Sequence, residues 1–427
     1  MKQGNIVQLI LKSSLLKSFS IYTIAQVLNA AIPFLLLPIM TKYLSPADYG
    51  IISMITTVCA FLTPFISFKL DTAIVRRYYY KDDNIAMYIG NCFRIVFYFL
   101  CIVTVIIVIT RPFLSEVTDI PGIVLLIIPL FCVGSFLKNV VLYYWQVNNK
   151  PIKYGVLSIL ATFMELSIAI ILITQFEFNW VGRAIGLFIT NILVALYALL
   201  YLIKNRMIDL TYDKSMIRHA LLFGAGLVPA AIGSTIMTMS DRFFLTNMVS
   251  INETGLYSVA CSFSSLLSFF TVSFCNAFVP WMFEHLSNNT KADDEKVVKV
   301  SYIYMAGTLL LGGIFYFVIK FLFPFFVSSS FDGSMKYVPW LLLGNVFYGY
   351  YLLLTNYIIY SEKTIYSTII TFSCGVIGAF LNFIFINKYG AIGAAMATAL
   401  SFLVFFVSTW ITAEHLYPMP WIRKKEL

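Results

Sequence analysis

Residues 41–53 read TKYLSPADYGIIS, and residues 246–258 read TNMVSINETGLYS. At an offset of 205 positions, Thr41/Thr246, Ser45/Ser250, Gly50/Gly255 and Ser53/Ser258 are identical. Leu44/Val249, Asp48/Glu253 and Ile51/Leu256 are conservative pairs. In each copy a serine stands three residues ahead of a carboxylate. That spacing makes a capping box, in which the two side chains satisfy the free N–H groups that open a helix. Pro46 adds a residue favoured at the first helical position. The pattern starts one helix after Ser45 and another after Ser250, and it accounts for Asp48 and Glu253 without a chemical role. A weaker echo pairs Gly182-Arg183-Ala184 with Gly393-Ala394-Ala395.

The surroundings of both copies are apolar. Of 427 residues 60% are hydrophobic and 11% charged, against about 25% charged in a soluble domain. Mean hydropathy is +0.86. Too few polar residues exist to cover a water-facing surface, which excludes a soluble enzyme, a nucleic-acid-binding domain and a disordered scaffold. About 20 apolar residues cross a hydrocarbon core of about 30 Å. Twelve such runs occur, near 18–41, 49–70, 89–109, 123–145, 154–174, 180–203, 220–245, 255–281, 301–327, 337–360, 365–386 and 391–413. They are continuous rather than alternating, so the spans are helices and not barrel strands. The run at 18–41 is too long for a signal-peptide core and reads as a retained first helix.

Twenty of the 29 Lys and Arg fall on one side of this layout. They include Lys2, Lys12 and Lys17 near one end, Lys81 in an early loop, and Arg423, Lys424 and Lys425 near the other. The positive-inside bias predicts both termini in the cytoplasm. It also explains the net charge of +9 without a nucleic-acid partner. Each repeat copy opens the second span of a six-span unit. Six is even, so both halves cross in the same sense, which predicts two parallel six-helix lobes, 1–205 and 206–427, around a central cavity. Seven cysteines lie singly in apolar runs and the three histidines are far apart, so neither a metal nor a cofactor is expected.

Polar residues inside spans mark candidate function, because burying them in lipid is costly. In span one, Tyr22, Gln26 and Asn29 share a helical face, followed by Pro33. In span seven, Ser234, Thr238 and Asp241 repeat the spacing, and Asn29 aligns with Ser234 at the repeat offset. Gln26, Asn29, Ser234 and Thr238 read as cavity lining, with helix–helix hydrogen bonding as the alternative. Asp241 and Arg242 are adjacent, point apart and are not expected to pair. Glu165, mid-span, has no basic neighbour in sequence. Either it carries a proton or a Lys or Arg from another helix neutralises it. Lys69, Arg76, Arg77, Arg94 and Lys138 gather in the cytoplasmic half of the first lobe, and Arg242 adds a cation in the second. Singly each could snorkel to the headgroups; together they suit an anion such as phosphate, with Asp71 as a partner for one of them. Tyr78, Tyr79, Tyr80, Tyr143, Tyr144 and Trp145 read as interfacial anchors, or as platforms for sugar rings. Pro33, Pro38, Pro64, Pro229 and Pro280 are expected bends.

Several motifs carry a resemblance over nearly the whole chain. They are Leu44-Ser45-Pro46-x-x-Tyr49-Gly50, Asp71-x-Ala73-x-x-Arg76, Asp241-Arg242-Phe243-Phe244-Leu245, Gly255-Leu256-Tyr257-Ser258 and Gly390-x-x-Gly393-Ala394-Ala395-x-Ala397. With twelve spans in twin halves, the chain resembles the Wzx-type polysaccharide repeat-unit (O-antigen) flippases of the MATE-like multidrug/oligosaccharidyl-lipid/polysaccharide exporter superfamily. The resemblance implies a non-enzymatic, all-α protein of the bacterial inner membrane. It would move undecaprenyl-pyrophosphate-linked oligosaccharides from the cytoplasmic to the outer leaflet by alternating access. It implies membrane lipids as surroundings, and a polysaccharide polymerase and chain-length regulator as partners. Coupling to an ion gradient would fall to Asp71, Glu165 or Asp241. A drug or cation exporter of the same superfamily should have an acidic, aromatic site, whereas the embedded charge here leans basic. A membrane glycan-processing enzyme should carry a large outer loop, and none is seen.

Overall fold

The computed structural model of the chain describes residues 14–79, 84–288 and 290–421. Lys2, Lys12, Tyr80, Lys81, Arg423, Lys424 and Lys425 lie outside the described residues, as do the side chains of Lys17 and Tyr22. No strand occurs among the described residues. The helices are α1 (Ser14–Leu35), α2 (Leu37–Tyr43), α3 (Pro46–Ser67), α4 (Leu70–Tyr79), α5 (Ile85–Thr118), α6 (Gly122–Val147), α7 (Pro151–Phe176) and α8 (Asn179–Lys204). They continue with α9 (Lys214–Met248), α10 (Ile251–Ser264), α11 (Leu266–Ser287), α12 (Lys291–Phe326), a 3₁₀ helix (Ser329–Lys336), α13 (Val338–Tyr360), α14 (Thr364–Tyr389) and α15 (Ala391–Leu416). Twelve stretches among them are long and apolar enough to cross a membrane, one for each run read from the sequence. Several overrun the apolar stretch. The 34 residues of α5 and the 36 of α12 rise about 50 Å, past the hydrocarbon and into the headgroup region.

Three spans are interrupted, two of them downstream of proline. Span one breaks at Leu36, three residues after Pro33, and Pro38 then opens α2. Span two breaks at Phe68 and Lys69, whose φ angles of 47° and 55° turn the chain four residues after Pro64. The third break, at Ser265 between α10 and α11, has no proline. There the Ser262 and Ser265 hydroxyls donate back to the carbonyls of Ser258 and Ser262, competing with the helical ladder. Pro229 and Pro280 lie inside helices that continue through them.

Packing divides the chain into two compact units, one of residues 1–44 and 54–228, the other of residues 45–53 and 229–427. In the first, α6 is the central rod, touching α4, α5, α7 and α8, while α1 lies along α7. Asn29 on α1 donates to Ser158 and accepts from Thr162 at 3.0 Å on α7. In the second, α13 is central, packed by α10, α11, α12 and α15, with α14 against α15. Tyr357 on α13 is fully buried, as are Tyr257, Tyr337 and Phe331 elsewhere in this unit.

The two repeat copies meet inside the second unit. Ser258 Oγ donates to Ser53 Oγ at 2.7 Å, a pair 205 residues apart. A Cβ on Gly50 would fall 2.1 Å from the Ile251 carbonyl oxygen, and one on Gly255 1.8 Å from that of Pro46. Pro46 and Ile251 are themselves one repeat apart, so the contact is reciprocal, as at a local two-fold axis. The first capping box forms in full. Ser45 N and Oγ both donate to Asp48 Oδ2, at 2.9 and 2.6 Å, and Asp48 N donates back at 3.2 Å. The second forms by half. Glu253 N donates to Ser250 Oγ at 3.2 Å, but Ser250 N bonds the Leu245 carbonyl. The Glu253 carboxylate turns to Lys336 at 3.0 Å and to the Tyr337 hydroxyl.

One comparison isolates the backbone approach. Gly255→Ala drives a methyl into the Pro46 carbonyl and should cost about 2 kcal/mol. Gly226→Ala, in open space on a helix, should be neutral or stabilising by up to about 1 kcal/mol. Thermal unfolding in detergent reads both, and equal midpoints would refute the close contact.

Candidate anion-binding site

The left-handed turn at Phe68 and Lys69 sets where α4 begins. It puts Asp71 in the first turn and Arg76 and Arg77 in the last, an order that complements the helix dipole. Asp71 is buried, accepting from the Thr72 amide at 3.0 Å and from Asn139 Nδ2 at 3.4 Å. Among the described residues it is Asn139 that reaches the Asp71 carboxylate, across the α4–α6 contact. Arg76 lies 5.1 Å from the Phe223 ring centroid and Arg77 5.0 Å from that of Tyr88. The Tyr88 hydroxyl sits 3.1 Å from His219 Nδ1. These two arginines therefore belong to an aromatic seam between α4, α5 and the start of α9.

Arg94 is held differently. Its Nη1 donates to Asn91 Oδ1 at 3.2 Å, its Nη2 to the Leu210 carbonyl at 2.8 Å, and its plane lies 5.2 Å from the Tyr212 ring. Asn91, buried on the same face of α5, donates to the Thr211 carbonyl at 2.9 Å and accepts from Asp213 N at 3.2 Å. Together they clamp the 205–213 connection onto α5. Asn91 was not singled out in the sequence, although its place three residues before an intramembrane arginine is a readable signal. Within the connection, hydrogen bonds from the Met216 amide and from Ser215 hold the Asp213 carboxyl below its ordinary range. The Thr211 hydroxyl and amide do the same for Asp209. Both are anionic at neutral pH, and Asp213 also feels Arg77.

Around α6 the embedded charges are sparser. Glu165 on α7 accepts from Arg183 Nη1 on α8 at 2.6 Å, so of its two sequence readings, neutralisation by another helix is the one found. Lys138 stands nine residues before the end of α6 at Val147, about 14 Å along the rod and near the middle of a bilayer. It is half-buried and has no hydrogen bond or ion pair among the described residues. Glu165 acts on it only at longer range. Lys69 likewise has no side-chain partner among the described residues. The four arginines Arg76, Arg77, Arg94 and Arg242 all lie against rings, whereas these two ammonium groups do not.

In the second unit, Asp241 is 3% exposed, and here the sequence expectation needs correction. Asp241 and Arg242 do pair, Arg242 Nη1 lying 3.2 Å from Asp241 Oδ1 and 2.9 Å from the Thr238 carbonyl. Adjacent Cβ atoms diverge, but the arginine stem is long enough to fold back over its own helix. Tyr257 closes the other side, donating to Asp241 Oδ2 and sitting 3.0 Å from the Thr398 hydroxyl. Asn29 is taken up between α1 and α7. Gln26, Ser234 and Thr238 are exposed, with Thr238 Oγ1 bonded back to the Ser234 carbonyl.

The Glu165–Arg183 pair makes a checkable claim. Arg183→Gln alone leaves a carboxylate stranded beside apolar helices and should cost about 3 kcal/mol. Adding Glu165→Gln should recover most of that. A thermal double-mutant cycle measures the coupling, and strictly additive losses would show that the pair contributes nothing.

Residues 15–286 match a sequence family described as polysaccharide biosynthesis protein. Two proteins of Haemophilus influenzae are similar over most of their length. An uncharacterized membrane protein is 25% identical over 82% of this chain and 85% of its own. The Lsg locus putative protein 1 is 21% identical over 88% and 94%. Among solved structures, the lipid II flippase MurJ in an inward closed conformation superposes with a TM-score of 0.72 at 17% identity, over 93% of this chain and 87% of that one. An inward-facing MATE family multidrug transporter gives 0.69 at 14%, over 95% and 98%. These two likenesses establish the MATE-like all-helical fold. The chain is a multi-pass membrane protein belonging to the polysaccharide biosynthesis protein family.

Proposed function

We propose that this protein translocates a lipid-linked oligosaccharide, carried on undecaprenyl pyrophosphate, from the cytoplasmic to the outer leaflet of a bacterial inner membrane. The O-antigen or capsule repeat unit is the substrate class, both termini are cytoplasmic, and the sequence halves 1–205 and 206–427 work in an alternating-access cycle. The family supports the polysaccharide pathway, and the fold is one that exporters share. The observation that carries the reading is Lys138, an ammonium placed near mid-membrane with no direct partner among the described residues. An unpaired cation there is costly, and a pyrophosphate oxygen supplies what it lacks. Lys69 offers a second free ammonium at the α3–α4 break. Arg76 and Arg77 supply positive field from their ring-stacked positions, and Arg94 keeps the neighbouring connection in place. Asp71 and Asp241, buried carboxylates, are the candidates for coupling to an ion gradient. A polysaccharide polymerase and a chain-length regulator are the partners this activity calls for.

Lys138→Gln tests the reading. Loss of one charge-assisted hydrogen bond to substrate corresponds to about tenfold or more in transport, with unfolding temperature unchanged or raised. Arg94→Gln should instead lower stability and loosen the connection to proteolysis. Translocation is read as surface polysaccharide in cells and as outward delivery of a labelled lipid-linked oligosaccharide in vesicles. Normal output from a chain with Lys69 and Lys138 both neutralised would remove the cationic site from the mechanism.

A further inference from the structure

A recess of about 520 Å³ opens on the flank of the first unit, between α7 and α8 with α6 behind it. We propose that it binds one anionic glycerophospholipid, its phosphate at Lys153 and an acyl chain lying along α7. This goes beyond the transport reading and does not depend on it.

Four observations converge. The floor on α7 is a straight strip, Ile152, Val156, Leu160 and Met164 at four-residue steps, which share one helical face. The first three are 51–63% exposed, a wall of branched carbon open to the side. Lys153 stands at one end of the recess, exposed and with no hydrogen bond or ion pair among the described residues. Trp145 forms part of the rear wall at the same end. It is 2% exposed, and its indole N–H has no acceptor among the described residues. A buried donor without a partner is rare; this N–H is sealed inside the protein, so Trp145 gives the recess apolar ring surface rather than a bond to the lipid head.

Length selects the occupant. Ile152 to Met164 spans about 18 Å of helix, against about 15 Å for half of a hydrocarbon core. The strip is one leaflet deep, as a glycerolipid chain requires, whereas a long polyprenyl tail would overrun it. Charge selects the head. An uncompensated ammonium favours a lipid with net negative charge over a zwitterion, whose own cation competes for the phosphate.

Native mass spectrometry of the full chain, titrated with dioleoylphosphatidylglycerol or dioleoylphosphatidylcholine, tests this. The expected result is one tightly retained phosphatidylglycerol, preferred about fivefold. Lys153→Ala should erase the preference. Leu160→Trp, filling the strip, should weaken retention about tenfold or more, while Leu196→Trp, exposed on α8 outside the recess, should not. Should Leu160→Trp lower the folded yield, Val156→Phe blocks the same strip. Equal retention of both lipids, or retention indifferent to the filling variants, overturns the proposal. So does polyprenyl phosphate displacing phosphatidylglycerol through the same residues, which would assign the recess to a polyprenyl tail instead.

Discussion

Hydrocarbon supplies no hydrogen bonds, and that single constraint organises this molecule. Backbone groups answer it by forming helices through most of the described residues. Side chains answer it by finding partners inside the protein. Asn29 bonds across to α7, Arg183 neutralises Glu165, Tyr257 and Arg242 enclose Asp241, and Asn139 caps the Asp71 carboxylate. With most embedded polar groups so occupied, the exceptions become informative. Among the described residues of the first unit, Lys138 and the Trp145 indole are two of these exceptions, beside the Tyr78 and Thr190 hydroxyls.

Arginine and lysine divide this work along chemical lines. A guanidinium is planar and weakly hydrated, so it rests against rings and still donates in its plane. Arg94 does both at once, with Tyr212 against its face and Asn91 and Leu210 at its edge. Lysine has no face to stack and concentrates its charge at a point. That leaves it the more available group for a ligand that comes and goes.

The spans were legible because a membrane helix writes its own requirement into one continuous apolar run. The repeat was legible for the same local reason, since a serine and a carboxylate three apart cap a helix wherever they occur. The partners of the charges were not. Asp71 meets Asn139 from 68 residues away, Arg94 meets Leu210 from 116, and Tyr257 meets Thr398 from 141. No spacing rule reaches that far. Asp241 and Arg242 were misread for a different reason. The rule that neighbours on a helix diverge describes Cβ atoms, and an arginine carries its charge well beyond them.

The divergence of the two capping boxes bears on the order in which the chain acquires structure. Ser45 and Asp48 close their ring from four consecutive residues, so that helix end is complete as soon as it is synthesised. Glu253 binds Lys336, 83 residues downstream, and the chain entropy of closing that loop is met only after α12 is in place. One cap is thus closed by its own four residues, and the other carboxylate is held by a residue 83 positions away.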